Sequence, residues 1–173
     1  LTFSSEVGGK TIRRSYTIAS PPSRNSYVEI TVKREHDGEF SRFLHDRVSV
    51  GDTLRVSGPS GVFTFDEGGA DSIVLIAGGV GITALLGMAH ALGGCDRPVR
   101  FCYAVRSRAD AAFADLLRSW LGERFQLFVS EEASRIDIPA VVDAVEPGGE
   151  LYVCGPIGML EATQQAWTRS GRA

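Results

Sequence analysis

Ile73-Val74-Leu75-Ile76-Ala77-Gly78-Gly79-Val80-Gly81-Ile82-Thr83 is the stretch that decides the fold. Five apolar residues run straight into glycines. A continuous apolar run of this length suits a strand covered on both faces, as in a parallel sheet. Glycines at its carboxyl end permit a tight turn and let a ligand approach the backbone. From Thr83 to Leu92, apolar Leu85, Leu86, Met88, Ala89 and Leu92 recur at helical spacing. A helix opening after such a turn aims unpaired N–H groups at its mouth, which favours a phosphate or pyrophosphate. The loop carries two of the three fingerprint glycines, with Ala84 in the last place. The acidic residue expected about twenty positions on is missing, because the next strand ends in Arg106-Ser107-Arg108. By itself the loop supports either a phosphate cradle or a plain strand-to-helix turn.

Downstream, strands and helices alternate. Strands are expected at Pro98–Val105, Phe125–Ser130 and Glu150–Cys154, and helices over Ala109–Leu121, Ile138–Ala144 and Gly158–Arg169. This rhythm predicts a parallel sheet with helices on both faces, its ligands outside the carboxyl ends of the strands. Those ends are Gly78-Gly79, Arg106-Ser107, Ser130-Glu131 and Cys154-Gly155-Pro156. Cys154 is either a small core hydrophobe or a functional group. Arg106 and Arg108 are either solvated or bind ribose or phosphate. Glu131-Glu132 reads as a solvated loop.

Upstream, from Leu1 to about Asp66, short strands and turns prevail. Strands are expected at Thr11–Ile18, Tyr27–Arg34, Thr53–Ser57 and Val62–Phe65, with a break at Pro21-Pro22-Ser23 and a helix over Phe40–Val48. These suggest a small antiparallel barrel, although closure needs more strands than the segment holds. In an extended Arg13-Arg14-Ser15-Tyr16-Thr17, Arg14 and Tyr16 share a face. An arginine can clamp a phosphate and a tyrosine can stack on a flat ring, while the pattern alone reads more simply as an ordinary amphipathic strand with a surface cation beside an aromatic. In Gly38-Glu39-Phe40-Ser41, Ser41 is placed to cap the helix or to meet a phosphate.

Composition bounds the rest. The 173 residues suffice for one large or two small domains. At 43% hydrophobic and 23% charged, the chain can bury a core. A net charge of −3 gives no electrostatic footprint for nucleic acid. No apolar run approaches membrane-spanning length, and the start shows no signal peptide. Without an initiator Met the chain reads as an excised piece. Cys95, Cys102 and Cys154 form no C-x-x-C pair, and His36, His45 and His90 lack ligand spacing, so no metal site is expected. The odd, scattered cysteines suggest a reducing, cytoplasmic setting. No G-x-S-x-G elbow occurs.

Taken in order, these segments resemble the ferredoxin–NADP reductase superfamily of flavin-dependent reductases. Arg14-Ser15-Tyr16-Thr17 is similar to its R-x-Y-[ST] flavin motif. Ile30-Thr31-Val32-Lys33-Arg34 and Gly38-Glu39-Phe40-Ser41 resemble the strand and phosphate turn that follow. Gly78 to Thr83 resembles the nicotinamide-nucleotide loop, Tyr103-Ala104-Val105-Arg106-Ser107 the adenosine-side strand, and Tyr152-Val153-Cys154-Gly155-Pro156 the C-G-P motif.

The resemblance implies a β + α/β architecture: an antiparallel flavin-binding β-barrel over 1–66, then a parallel-sheet NAD(P)-binding domain over 67–173. It further implies that the first barrel strands and the last sheet strand lie outside this sequence. It assigns Arg14 to flavin phosphate, Tyr16 to the isoalloxazine face and Thr17 to its hydride-accepting nitrogen. Ser15, Thr31, Val32, Lys33, Gly38, Phe40 and Ser41 would complete the flavin site. Gly79, Val80, Gly81, Ile82 and Thr83 would cradle the nucleotide pyrophosphate, with Arg106 and Ser107 on the adenosine side. Cys154, Gly155 and Pro156 would place the nicotinamide, so Tyr16, Thr17 and Cys154 would flank the chemistry. Hydride would pass from NADH or NADPH to flavin, and electrons singly to an iron–sulfur acceptor, a ferredoxin domain or an oxygenase. The phosphate turn favours FAD, with FMN the alternative. A flavin-free NAD(P)-binding dehydrogenase and a non-catalytic flavin or nucleotide-binding module are the competing expectations.

Overall fold

The computed structural model describes residues 1–20, 26–66 and 68–172. The chain divides into two compact units, Leu1–Thr64 and Phe65–Ala173.

The first unit is built on a three-stranded antiparallel sheet. Strand β1 (Thr2–Val7) lies between β2 (Lys10–Ser15) and the short β3 (Arg55–Ser57). Gly8 and Gly9 take positive φ in the β1–β2 turn, a conformation open to glycine at little cost. Helix α1 (Glu39–Asp46) lays Phe40 into a core with Phe3 and Ile12. Tyr16, Ile30, Phe43 and Leu54 pack around these three.

Two expectations fail here. Tyr27–Arg34 is not a strand: its contact is an isolated bridge between Ile18 and Ile30, flanked by Ala19 N–H donating to Glu29 O at 2.8 Å. Alternation reports one-sided burial, whereas a strand also needs a partner along its length, and Tyr27 and Val28 are both exposed. Val62–Phe65 is likewise irregular, with Val62 almost fully exposed at 97%. The expected break at Pro21-Pro22-Ser23 lies outside the described residues.

The second unit is a three-layer α/β sandwich. Strands β4 (Ile73–Gly78), β5 (Val99–Val105), β6 (Phe125–Val129) and β7 (Glu150–Cys154) form one parallel sheet in the order β6-β5-β4-β7. All six residues of β4 are buried, as its unbroken apolar run requires. Helices α2 (Ile82–Leu92) and α3 (Ala114–Leu121) pack together on one face. Helices α4 (Ile138–Asp143) and α5 (Ile157–Arg169) cover the other. There Val74, Ile76 and Cys102 meet Val141 and Val145, with Met159 and Trp167 against them.

The expected helix over Ala109–Leu121 is broken. A 3-10 turn at Arg108–Asp110 is followed by Phe113 at φ 63°, and α3 starts only at Ala114. A bulky residue in the left-handed region interrupts the helical ladder.

Two arginines close helix ends. The Arg124 guanidinium donates to the carbonyls of Leu92 (3.3 Å), Gly93 (2.9 Å), Cys95 (3.1 Å) and Leu121 (3.2 Å). It thereby satisfies acceptors that the C-terminal ends of α2 and α3 leave without helical partners. Arg172 does the same after α4, donating to Val142, Asp143 and Val145 carbonyls.

Candidate functional site

In the first unit the arginine–tyrosine segment closes β2. Phe3 pairs with Arg14 and Thr2 with Ser15, and Leu1 and Tyr16 extend the ladder through two backbone bonds of 2.8 and 2.9 Å. Ile12, Arg14 and Tyr16 share the parity of an extended chain. Ile12 is buried, Tyr16 half-buried, and Arg14 stands in solvent.

The Tyr16 ring lies 6.3 Å from that of Phe40 at 25°, and 6.0 Å from Phe3 edge-on. The arginine–tyrosine segment and the phosphate-turn segment therefore meet through aromatic contact between the end of β2 and α1. Burial pushes the Tyr16 phenol above its ordinary pKa, and the Arg14 cation partly offsets this. The Arg14 guanidinium donates to the Arg13 carbonyl at 2.8 Å, and no carboxylate pairs with it among the described residues. Ser15 Oγ and Thr2 Oγ1 lie 2.9 Å apart, and Thr17 is exposed.

Ser41 is not the cap of α1. Gly38 is the capping residue and makes no side-chain bond, whereas Ser41 sits one turn in. Its buried hydroxyl donates to Gly38 O at 3.0 Å and accepts from Glu35 N–H at 3.2 Å. A Cβ on Gly38 would lie 2.3 Å from that oxygen, so the glycine is needed for the turn to close. The segment Thr31-Val32-Lys33 runs beside α1. Val32 O meets His45 Nε2 at 2.8 Å, and Lys33 pairs with Glu35 at 3.0 Å.

In the second unit the parallel sheet gathers the remaining segments at one edge. β4 passes through Gly79 (φ 52°) into a 3-10 turn, Gly79–Gly81, and then into α2. Nothing lies within 4 Å of where a Gly79 side chain would begin, so the mouth of the turn is open. Ile82 and Thr83 turn inward, and the Thr83 hydroxyl donates to Val80 O at 3.0 Å. At Gly79 the turn presents bare backbone, which suits an anion held by N–H groups, and Val80 beside it is the exposed side chain of the turn.

The C-G-P segment packs directly on this loop. A Cβ on Gly81 would fall 2.2 Å from Cys154 O, and one on Gly78 2.7 Å from Pro156 Cδ. One on Gly155 would fall 2.8 Å from Met159 Sδ. These three glycines let the ends of β4 and β7 interlock. The Cys154 thiol is half-buried, and burial raises its pKa, keeping it protonated at neutral pH.

At the neighbouring strand ends, Arg106 pairs with Glu131 at 3.1 Å and Arg108 with Glu132 at 2.6 Å. Ser107 and Asp110 form a capping box, Ser107 N–H and Oγ both donating to Asp110 Oδ2. Sequence reading missed the part played by all three acids. Glu131-Glu132 is not merely solvated, since each reaches an arginine across the sheet edge. The S-x-x-D spacing of Ser107 and Asp110 was the visible signal for the capping box. No spacing signal could reveal partners about two dozen residues apart in sequence.

Among the described residues no helix is long and apolar enough to cross a membrane, and no cluster of His, Cys, Asp or Glu is arranged to hold a metal.

Residues 1–65 match the family model of the oxidoreductase FAD-binding domain. Over 157 residues the chain is 40% identical to the phenoxybenzoate dioxygenase subunit beta of Ectopseudomonas oleovorans, covering 90% of this chain and 49% of that protein. Full-length CYP116B46 from Tepidiphilus thermophilus superposes with a TM-score of 0.88 at 31% identity, over 99% of this chain and 23% of that one. Phthalate dioxygenase reductase superposes with a TM-score of 0.81 at 29% identity, over 95% of this chain and 52% of that one. The chain thus spans about half the length of the curated relatives it matches. With an antiparallel sheet followed by a parallel α/β sheet, motifs in matching order and similarity running through both units, the chain belongs to the ferredoxin–NADP reductase superfamily of flavin-dependent reductases.

Proposed function

We propose that this chain is the flavin- and nucleotide-binding part of an NAD(P)H-dependent reductase that delivers electrons to an iron–sulfur acceptor. In this reading the first unit binds flavin and the second NAD(P)H. The observation that carries it is the Arg14–Tyr16 pair. An exposed guanidinium with no carboxylate partner among the described residues stands two residues from a half-buried ring backed by Phe40. An anionic, flat, aromatic ligand answers both features.

When bound, the flavin supplies the conversion between two-electron and one-electron transfer. The protein's share is binding and orientation. Arg14 neutralises flavin phosphate. Tyr16 offers a ring face held from behind by Phe40, and Thr17 and Ser15 offer hydroxyls beside it. Ser41 keeps Gly38 and Phe40 in place through the turn it closes, with Thr31 to Lys33 alongside. In the second unit the backbone of Gly79 to Thr83 receives pyrophosphate. Cys154 presents a neutral thiol to the nicotinamide, and Gly155 and Pro156 fix its position. Arg106 and Ser107 border the adenosine ribose.

FAD is favoured over FMN because the matching model over residues 1–65 is an FAD-binding domain. An iron–sulfur acceptor is supported by phthalate dioxygenase reductase, described as transferring electrons from pyridine nucleotides to [2Fe-2S]. A cytoplasmic setting belongs to the same proposal, supported by three scattered free thiols.

The test is anaerobic titration of the flavin-loaded protein with reduced nucleotide, followed by flavin absorbance. Bleaching is expected, and flavin binding without bleaching by either nucleotide would favour a non-catalytic module. Arg14→Leu should weaken flavin binding by about 10–100-fold, the range of one charge-assisted contact. Unchanged affinity would remove Arg14 from the site.

A further inference from the structure

We infer that Glu131, Glu132 and Asp110 make this chain select NADH over NADPH by occupying the groups that would otherwise receive a 2′-phosphate. The inference rests on the nucleotide-site reading above and adds its specificity.

β5 and β6 are adjacent parallel strands, with Val105 beside Val129 at their ends. The residues that follow, Arg106-Ser107-Arg108 and Ser130-Glu131-Glu132, therefore leave the sheet side by side. They are fixed together by Glu131 N–H donating to Arg106 O at 3.0 Å. Every cationic or hydroxyl donor on the β5 side has a carboxylate. Arg106 Nε donates to Glu131 Oε1 at 3.1 Å. Arg108 Nε and Nη2 donate to the two Glu132 oxygens at 2.6 and 2.7 Å, a fork-to-fork pair. Ser107 gives both its N–H and its hydroxyl to Asp110.

Three carboxylates thus stand against two guanidiniums. All five groups lie near the surface, so the ion pairs themselves hold little energy. What decides is the sign of the local charge. A phosphate monoester carries between one and two negative charges near neutral pH, so it enters a cluster already negative by one. It must also displace Glu132 to gain the fork of Arg108, and it meets Arg106 only beside the Glu131 carboxylate bound to Nε. A 2′-hydroxyl does the opposite, since it donates to a carboxylate that accepts. The acid missing from the end of β5 is supplied here from the end of β6, in the role that an acidic residue plays toward ribose in dinucleotide folds.

The experiment is calorimetric titration of the intact protein with ADP-ribose and with 2′-phospho-ADP-ribose. It needs neither flavin nor turnover. The parent protein should bind ADP-ribose at least tenfold more tightly than its 2′-phosphorylated form, and the gap should narrow as salt screens the charges. The double variant Glu131→Gln, Glu132→Gln should bind the phosphorylated ligand about tenfold or more tighter than the parent does. Equal or tighter binding of 2′-phospho-ADP-ribose by the parent would overturn the inference. So would an unchanged ratio in the double variant, leaving the nucleotide site intact. Binding of neither ligand would remove that site and the inference with it.

Discussion

The position a Gly81 side chain would occupy is 2.2 Å from the carbonyl oxygen of Cys154. No real carbon sits that close to an oxygen without a bond, and the neighbour is main chain, which cannot swing aside. The loop after β4 and the end of β7 can therefore touch only while residue 81 is glycine.

Gly81→Ala should lower stability by about 1–3 kcal/mol, the cost of forcing extra volume into packed structure. Gly79→Ala meets open space and bears only the left-handed strain of its φ of 52°, about 1–2 kcal/mol. The two separate by readout. Gly81→Ala should shift the urea midpoint more, while Gly79→Ala should lose more ADP-ribose affinity than its stability change accounts for.

Arg124→Met keeps the aliphatic stem and removes the guanidinium from four carbonyls. A loss of about 2–3 kcal/mol is expected, because a charged donor spread over several part-buried acceptors sits at the upper end of single-contact effects. Equilibrium urea unfolding of the variant measures it, and an unchanged midpoint would show that water replaces the arginine freely.

Ser72 points the other way. Its hydroxyl is buried with no hydrogen-bond partner among the described residues, pressed under Gly149. Ser72→Ala should be neutral or stabilising by roughly 1 kcal/mol, since it removes an unsatisfied polar group. A clear fall in the urea midpoint would reveal a partner for the hydroxyl.

Tyr103 is fully buried, and burial first and Asp110 second push its phenol up to about 12. In the unfolded chain it loses its proton near pH 10. Between these values the folded state holds the extra proton, so stability falls as pH rises and is undiminished below about pH 10. Tyr152, held up to about 12 by burial and then by Glu150, acts in the same direction. Tyr103→Phe should flatten the alkaline limb of a stability-against-pH profile between about pH 10 and 12 and leave the neutral region nearly unchanged.

The second unit was more legible in the sequence than the first. β7 runs over Glu150–Cys154 as read from the pattern, and β4 and α2 differ from expectation by a residue at most. Strands buried on both faces leave no ambiguity of face, and glycines mark where they end. In the first unit the sheet is half-solvated, and the apparent strand at Tyr27–Arg34 showed the right alternation without a partner. Phe113 hid its break because the apolar spacing continues through it. The motif residues were legible as types, but their surroundings were not. Nothing near Ser41 announces that its hydroxyl is consumed by the turn at Glu35, and nothing near Arg106 announces Glu131.

Arg124 ties the start of β6 to the far ends of α2 and α3, at the opposite pole of the sheet from Glu131 and Glu132. On the coenzyme reading inferred above, rigidity and recognition fall to different ends of the same strand. Exchanging acids for bases at the Glu131 end should then change coenzyme preference without loosening the scaffold, because the arginine that closes the helix ends sits at the other pole.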